Sequence, residues 1–407
     1  MKSHFDPIWS VQASLSKAPL PEWMSFHFFN DARRCPRAVV LQRSAYPNLW
    51  IGTGYPRRAN ISALAGRVIH STVETIVDAF ARHGVESMDD PKTMECLGRL
   101  GGYLAILSQE VDRTLTAEES NPRQKKTLPA LKKMLKLQLP QMRQSVQQML
   151  VSRDWDLSGK RRYSGTTPAE HATTDRKPLS LGVHFEIELQ DPSLSWKGRL
   201  DVITVATDGC SIVDLKTGKD SEEHQEQIRI YGLLWDGDIQ LNPSRIPLKS
   251  LTLSYGARQV PVTIHSPSSE ARSLLQTQTL QVRQELASNP APAHPSSDNC
   301  RFCQVKLLCN ECSFWKEPVL DQPSTFGDVE LLLAEPKNDV TWAAHWNLGG
   351  KVSSAVLLKK SLSEESLWEA LQPGFRLRLS GAVISLRDEG EAPLISFTAF
   401  TEALLIG

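Results

Sequence analysis

The spacing of apolar residues divides the chain into a helical part followed by a strand-rich part. Apolar residues recur every three or four positions over about Ile61 to Arg153, which predicts amphipathic helices with turns near Gly84 and Asn121-Pro122. From about Leu181 to Thr263, short alternating runs predict β-strands, with one amphipathic helix among them at residues 224–235. This order predicts an α/β domain in which a mixed sheet is flanked by helices.

Alternating strands return after about Pro323. The clearest runs are residues 375–386 and 392–398, and with residues 329–334 and 353–358 they predict a small β-rich module. One interpretation is a five-stranded OB-like barrel, which could bind single strands through aromatic and basic side chains. A plain oligomerisation or docking module is the alternative. The candidate binding residues are Trp342, Trp346, Lys359 and Lys360.

Two acids and a lysine lie at neighbouring strand ends. Asp201 opens one apolar run, Asp214 and Lys216 end the next, and Asp208-Gly209 between them predicts a hairpin. Residues two apart in a strand share a face, so Asp214 and Lys216 should point into one cleft, with Asp201 nearby. Carboxylate oxygens suit Mg²⁺ or Mn²⁺, and an ammonium group stabilises charge developing on a phosphate. The alternative is a set of charges at the mouth of a hairpin.

Two further pairs lie on predicted helices. Gln227 and Tyr231 are four residues apart and therefore share one helix face. His70 lies in an apolar helical stretch that contains Gly66. Taken alone, the first pair would be ordinary helix surface and the histidine would be a packed core residue.

Together these residues resemble the RecB-like branch of the PD-(D/E)XK nuclease superfamily. The signature of that branch runs GxxxH, GxxD, DxK and QxxxY, and all four elements occur here in family order. They are Gly66 to His70, Gly198 to Asp201, Asp214 to Lys216, and Gln227 to Tyr231. The resemblance implies a restriction-endonuclease-like mixed sheet and a metal-dependent DNA nuclease.

The same resemblance implies a role for each motif residue. The implied metal ligands are His70, Asp201 and Asp214. Lys216 would assist the attacking water, while Gln227 and Tyr231 would position the substrate or brace the site. Family members often place another acid in the preceding strand, which implies Glu186, with Glu188 as the neighbouring alternative.

The cysteines provide a second signal. Four of the seven occur in a CxxCx5CxxC run, at Cys300, Cys303, Cys309 and Cys312. Thiolates spaced this closely can converge on zinc or on an iron-sulfur cluster, and spacing alone favours zinc. A disulfide framework is not expected, because the chain has an odd number of cysteines and no secretory signal.

Iron-sulfur nucleases of the RecB-like group, including the AddB type and CRISPR-associated exonucleases, resemble this chain in their cysteine pattern. They carry one cysteine far upstream of the nuclease core and three downstream in CxxCx5C. The match implies a 4Fe-4S cluster bound by Cys35, Cys300, Cys303 and Cys309, with Cys312 as a possible substitute for Cys35. Zinc remains the alternative.

These patterns divide the chain into four parts. They are an N-terminal segment with one cluster cysteine (1–60), a helical region with the motif histidine (61–157), the nuclease core with the cysteine cluster (158–322), and the β-rich module (323–407).

The formal net charge is zero, so affinity for phosphate must come from local basic patches. A charge run can also be a solvated helix face. The candidate DNA-binding residues are Arg123, Lys125, Lys126, Lys132 and Lys133.

The resemblance therefore implies a Mg²⁺- or Mn²⁺-dependent DNA nuclease acting on single strands or ends, in repair, recombination or mobile-element defence. The alternative is a catalytically silent DNA-binding or scaffold subunit of a helicase-nuclease or defence complex. Helicase or other protein subunits are possible partners. No Walker-type motif occurs, so no ATP binding is expected, and without a signal or apolar span a cytoplasmic location is expected.

Overall fold

The computed structural model describes residues 19–406, except 48, 86–87, 126, 152–175, 217–219, 256–257, 265–267, 313–323, 349–350, 361–364, 388–390 and 399–400. The expected boundaries at 157/158 and 322/323 fall outside the described residues. None of the described helices is long and apolar enough to cross a membrane.

Seven helices of the described chain precede the first strand, and the last five of them lie in the stretch where the apolar period predicts helices, whereas the first two were not predicted. They are α1 (Phe26–Arg34), α2 (Pro36–Arg43), α3 (Ile61–His83), α4 (Pro91–Arg99), α5 (Tyr103–Thr116), α6 (Leu128–Leu137) and α7 (Leu139–Val151). Pro36 lies in the first turn of α2, where its missing N–H costs no hydrogen bond, and Cys35 is the N-cap residue of that helix. The α1–α2 junction therefore fixes the backbone of Cys35.

The central sheet has five strands in chain order. They are β1 (Gly182–Asp191), β2 (Trp196–Ala206), β3 (Gly209–Leu215), β4 (Leu248–Tyr255) and β5 (Arg258–Val262). Neighbouring strands are antiparallel except for β3 and β4, which are parallel and joined through helix α8 (Glu222–Gly237). The predicted hairpin is confirmed, since Ala206 pairs with Gly209 at its tip.

Apolar cores cover both faces of this sheet. Ile212 packs in a core with side chains of α1, α8 and the following helix α9 (Ser268–Ala287). Val213 and Leu215 pack in a second core formed by α3 to α7. Adjacent residues of a strand point to opposite faces, so the two cores lie on opposite sides of the sheet. The predicted α/β class, a mixed sheet flanked by helices, is confirmed.

The C-terminal module is a closed barrel. After the short helix α10 (Ser297–Arg301), its elements are β6 (Ser324–Asn338), β7 (Thr341–Leu348), β8 (Lys351–Lys359), α11 (Glu365–Ala370), β9 (Arg376–Ser385), β10 (Leu394–Ser396) and β11 (Glu402–Ile406). The strand order is β10-β8-β7-β6-β9-β11, and β10 also pairs with β9, which closes a ring of five strands. The strands β8 and β10 are parallel, while the other pairs are antiparallel. The predicted β-rich module is confirmed, although β7, β11 and α11 were not among the expected elements.

The candidate aromatic residues of the barrel do not face solvent. Trp342 and Trp346 are only 6% and 5% exposed and pack in the barrel core. They are four residues apart on β7, with buried Ala344 midway between them, and alternate residues of a barrel strand point inward. The expectation that their rings stack on bases is therefore wrong.

Two buried arginines hold the cysteine-rich loop between the barrel and the rest of the chain. Arg123 donates 2.7 Å hydrogen bonds to both carboxylate oxygens of Glu402 and another to the carbonyl oxygen of Gln304. Arg378 pairs with Glu330 at 2.5 Å and donates to the carbonyl oxygen of Leu307. Each guanidinium thus joins a barrel acid to the backbone between the cysteines.

Candidate active site

One imidazole and two carboxylates converge beside the central sheet. His70 on α3, Glu186 on β1 and Asp201 on β2 each offer a ligand atom, and these atoms lie within 4.8 Å of one another. The three residues line one pocket, together with apolar neighbours such as Phe185 and Leu215.

The backbone conformation of Glu186 explains its position. Phe185 pairs with Val202 and Ile187 with Leu200, so Glu186 lies opposite Asp201. Its φ of +50° is rare outside glycine and costs about 1–3 kcal/mol. Glu188 has ordinary strand geometry and lies 3.6 Å from the ammonium group of Lys197 instead. Of the two alternative acids, the structure therefore brings Glu186 to His70 and Asp201.

Asp214 and Lys216 share a cleft, as their spacing predicts. Oδ2 of Asp214 lies 2.6 Å from Nζ of Lys216, while the backbone N–H of the intervening Leu215 donates to Oδ2 of Asp201 at 2.6 Å. Asp214 is 2% exposed, and the ammonium group of Lys216 is the cationic partner of its Oδ2. The Asp201 carboxylate lies close enough to raise the pKa of Asp214, and two acids beside one ammonium group leave an excess of negative charge that suits a bound cation.

The ionisation of Asp214 is costly without such a cation. Burial, reinforced by the negative charge of Asp201, raises the pKa of Asp214 to about 6, against the opposing effects of Lys216 and His70. A bound divalent ion would remove the cost of placing these carboxylates together. Carboxylate oxygens are the ligands that Mg²⁺ and Mn²⁺ prefer, and Mn²⁺, as a transition-metal ion, also accepts an imidazole nitrogen. The residues present therefore fit such an ion, with Asp214 beside the group of three and held by Lys216.

A hydrogen-bonded chain on α8 supports Lys216. Nζ of Lys216 donates to Oε1 of Gln227 at 2.7 Å, and Nε2 of Gln227 donates to the hydroxyl of Tyr231 at 2.7 Å. Gly198 packs against the Tyr231 ring, where an added Cβ would lie 2.7 Å from Cε1. The residues of the GxxD, DxK and QxxxY elements are thus physically in contact.

A model of the PD-(D/E)XK nuclease superfamily matches residues 24–310. This chain belongs to that superfamily. The match covers the helical region, the central sheet and most of the cysteine run, and it ends before the barrel. Superfamily members are generally metal-dependent nucleases, in agreement with the ligand set described above.

Similarity to individual proteins is weak. No curated protein matches the sequence. The chain is 12% identical to a murine DNA binding protein solved with double-stranded DNA, covering 56% of this chain and 95% of that one, with a TM-score of 0.17. The chain is 10% identical to the p204 HINb domain, with 57% of this chain and 100% of that one covered and a TM-score of 0.17. It is 13% identical to a protein described as "Structural mimicry for functional antagonism", with 23% of this chain and 46% of that one covered and a TM-score of 0.16. Scores this low do not indicate a shared fold.

Five cysteines line one cavity of this PD-(D/E)XK protein, where α2 meets the cysteine-rich loop. They are Cys35, Cys300, Cys303, Cys309 and Cys312. Burial, reinforced by the neighbouring thiols Cys35 and Cys309, raises the pKa of Cys303 to about 11. Among the described cysteines, no three sulfurs lie within 4.8 Å of one another. The cavity thus brings the far-upstream Cys35 to the downstream run.

The basic run contributes less exposed charge than expected. Arg123 is buried and paired with Glu402, so the expectation that it binds DNA is wrong. Lys132 is paired with Asp112 at 2.8 Å on the surface of α6, and Lys125 and Lys133 are exposed. Lys126 lies outside the described residues.

Three residues beside the site were missed by sequence reasoning. His224, Tyr255 and Asp220 form a hydrogen-bonded group near the start of α8. The only sequence signal was that His224 lies one helical turn before Gln227.

Replacing Gly198 with alanine should destabilise the nuclease domain by about 1–3 kcal/mol, because its methyl group would overlap the Tyr231 ring. Thermal unfolding measures the effect. The matched control is Gly98→Ala on α4, where an added Cβ meets nothing within 4 Å and stability should be unchanged or slightly higher. Equal melting temperatures for the two variants would show that the Gly198 contact is loose.

Proposed function

We propose that this PD-(D/E)XK protein is a divalent-metal-dependent deoxyribonuclease that acts on single strands or DNA ends. The single observation that carries the proposal is the convergence of His70, Glu186 and Asp201 beside buried Asp214 and Lys216. A role in repair, recombination or mobile-element defence, with helicase or other subunits as partners, is proposed on the resemblance alone.

The site residues have two roles, metal binding and stabilisation of negative charge on the phosphate. His70, Glu186 and Asp201 would hold a Mg²⁺ or Mn²⁺ ion, with Asp214 next to them. The bound ion supplies positive charge that stabilises the phosphate as it gains a negative charge. Lys216 adds a second positive charge, and its bonds to Asp214 and Gln227 hold the ammonium group in place. The hydroxyl of Tyr231 accepts a hydrogen bond from Gln227 and thereby holds that side chain in position.

Incubation with Mn²⁺ and end-labelled single- and double-stranded DNA tests this proposal. We expect cleavage by the wild-type protein, none with EDTA, and none by Asp214→Ala or Lys216→Ala. Binding without cleavage under all metal conditions would favour the rival function, a DNA-binding or scaffold subunit. Cleavage that persists in both variants would indicate a contaminant or another site.

We further propose a structural 4Fe-4S cluster in the cysteine cavity. The five lining cysteines supply more than the four ligands a cluster needs, and the far-upstream Cys35 lies among them as the cysteine pattern of the iron-sulfur nucleases implies.

Anaerobically purified protein should contain about four irons per chain and absorb broadly in the visible range. Cys300→Ser should lose this iron and lower the melting temperature, because binding of such a group is linked to folding. The matched control is Cys96→Ser, since Cys96 is buried on α4 away from the cavity. Stoichiometric zinc without iron would contradict the cluster.

A further inference from the structure

A histidine, a tyrosine and an aspartate form a short relay beside Lys216. His224 lies in the first turn of α8, and its Nδ1 is 2.8 Å from the hydroxyl of Tyr255 on β4. That hydroxyl donates to Oδ1 of Asp220 at 3.1 Å. Arg258 donates to the other oxygen, Oδ2, at 3.2 Å and thereby orients the carboxylate.

This arrangement determines which ring nitrogen of His224 carries the proton. A phenol has one proton, and the Tyr255 hydroxyl donates it in the hydrogen bond to Asp220. Burial raises the pKa of Tyr255, and this hydrogen bond raises it further. The 2.8 Å contact therefore requires Nδ1–H of His224 to donate to the tyrosine oxygen. The other nitrogen, Nε2, then holds a lone pair, and no described residue forms a hydrogen bond to it.

The imidazole is neutral near pH 7. Burial lowers the pKa of His224 and Lys216 lowers it further, against opposing carboxylates. The described charges that act on it are Lys216, Asp214, Glu223 and Asp220. His224 lies one helical turn before Gln227, which accepts a hydrogen bond from Lys216. Its partner Tyr255 directly follows Ser254, whose carbonyl oxygen accepts from the backbone N–H of Lys216 at 2.8 Å, so His224 lies alongside the candidate active site.

Lys216 is poorly suited to accept a proton. Its nitrogen lies 2.6 Å from an Asp214 oxygen and donates to Gln227, which is the arrangement of a charged ammonium group. An ammonium group has no lone pair. Hydrolysis of a phosphodiester nevertheless releases a proton from the attacking water, and a side chain with a free lone pair near the site can receive it.

We propose that His224 is the proton acceptor of the hydrolysis, an inference that depends on the proposed nuclease function. The water oxygen forms a bond to phosphorus, its proton moves to Nε2 of His224, and the bond from phosphorus to the leaving oxygen breaks. The leaving oxygen takes a proton from solvent water, and the imidazolium later returns its proton to solvent. Tyr255 and Asp220 are positioning residues that keep Nδ1 protonated and Nε2 available.

Single-turnover cleavage by the full chain with Mn²⁺ tests this role, with DNA affinity measured separately in Ca²⁺. His224→Ala should lose about 100-fold or more in rate while affinity stays within about twofold. Added imidazole should restore at least about a tenth of the lost rate, because it supplies the missing base. Tyr255→Phe should lose about 10-fold, because it removes the acceptor of Nδ1–H. His345→Ala, on barrel strand β7, is the histidine control and should cleave normally.

Two results would overturn the inference while leaving the nuclease intact. One is a His224→Ala rate equal to that of the wild type. The other is a slow His224→Ala protein that imidazole does not restore, which would make His224 a structural residue. Absence of cleavage by the wild-type protein would instead overturn the nuclease proposal, and this inference with it.

Discussion

Replacing Glu186 with glutamine should reduce DNA cleavage by about a thousandfold. Glutamine keeps the size of the side chain but removes the negative charge that faces His70 and Asp201. Loss of an anionic ligand from a hard divalent ion weakens the charge stabilisation that the ion provides, which is worth several kcal/mol. At about 1.4 kcal/mol for each tenfold change in rate, this predicts a loss near 10³-fold. Cleavage at saturating DNA over a Mn²⁺ titration measures it, and higher Mn²⁺ should recover part of the rate.

Glu188→Gln is the matched control for this prediction. It makes the same chemical change two residues away on the same strand, where the carboxylate pairs with Lys197 at a half-exposed position. An exposed pair contributes about 0–1 kcal/mol, so the control should cleave and fold almost normally. If Glu188→Gln lost activity and Glu186→Gln kept it, the ligand assignment made here would be reversed.

Local spacing was sufficient to predict the pairs of side chains that act together. Asp214 and Lys216 meet because alternate strand residues share a face, and Gln227 and Tyr231 meet because residues four apart share a helix face. The β2–β3 hairpin, which the Asp208-Gly209 turn signal predicted, places Asp201 beside the strand that carries Asp214. Such rules depend only on the period of the element, which a sequence contains.

The choice between Glu186 and Glu188 could not be made this way. Both residues have the same parity in β1, so alternation alone places them on the same face. The φ of +50° at Glu186 separates them, and the strand sequence itself carries no sign of that conformation.

The burial of Arg123 and of the barrel tryptophans also depends on distant parts of the chain. Arg123 is buried because Glu402, 279 residues later, supplies a matching carboxylate. Trp342 and Trp346 are buried because the barrel closes through the pairing of β10 with β9. Composition identifies such residues as basic or aromatic, whereas long-range closure decides whether they are exposed.

The buried ion pair of Arg123 and Glu402 should contribute strongly to stability. Arg123→Met should destabilise the protein by about 3–5 kcal/mol, because it leaves the buried Glu402 carboxylate without its partner. The variant also removes the donor to the carbonyl oxygens of Pro56 and Gln304, so the bridge through Arg123 between the preceding segment and the cysteine-rich loop is lost. Urea unfolding followed by tryptophan fluorescence measures the shift.

Lys132→Met is the control for Arg123→Met, and a double variant identifies the cause. Lys132 also pairs with an acid, but both side chains are about half exposed, so its loss should cost less than about 1 kcal/mol. Adding Glu402→Leu to Arg123→Met should recover much of the lost stability, since a buried pair replaced by apolar groups no longer contains an unpaired charge. If the double variant is no more stable than Arg123→Met alone, the cost comes from the lost carbonyl contacts. The arginine would then stabilise mainly the cysteine-rich loop, and iron retention should fall in both variants together.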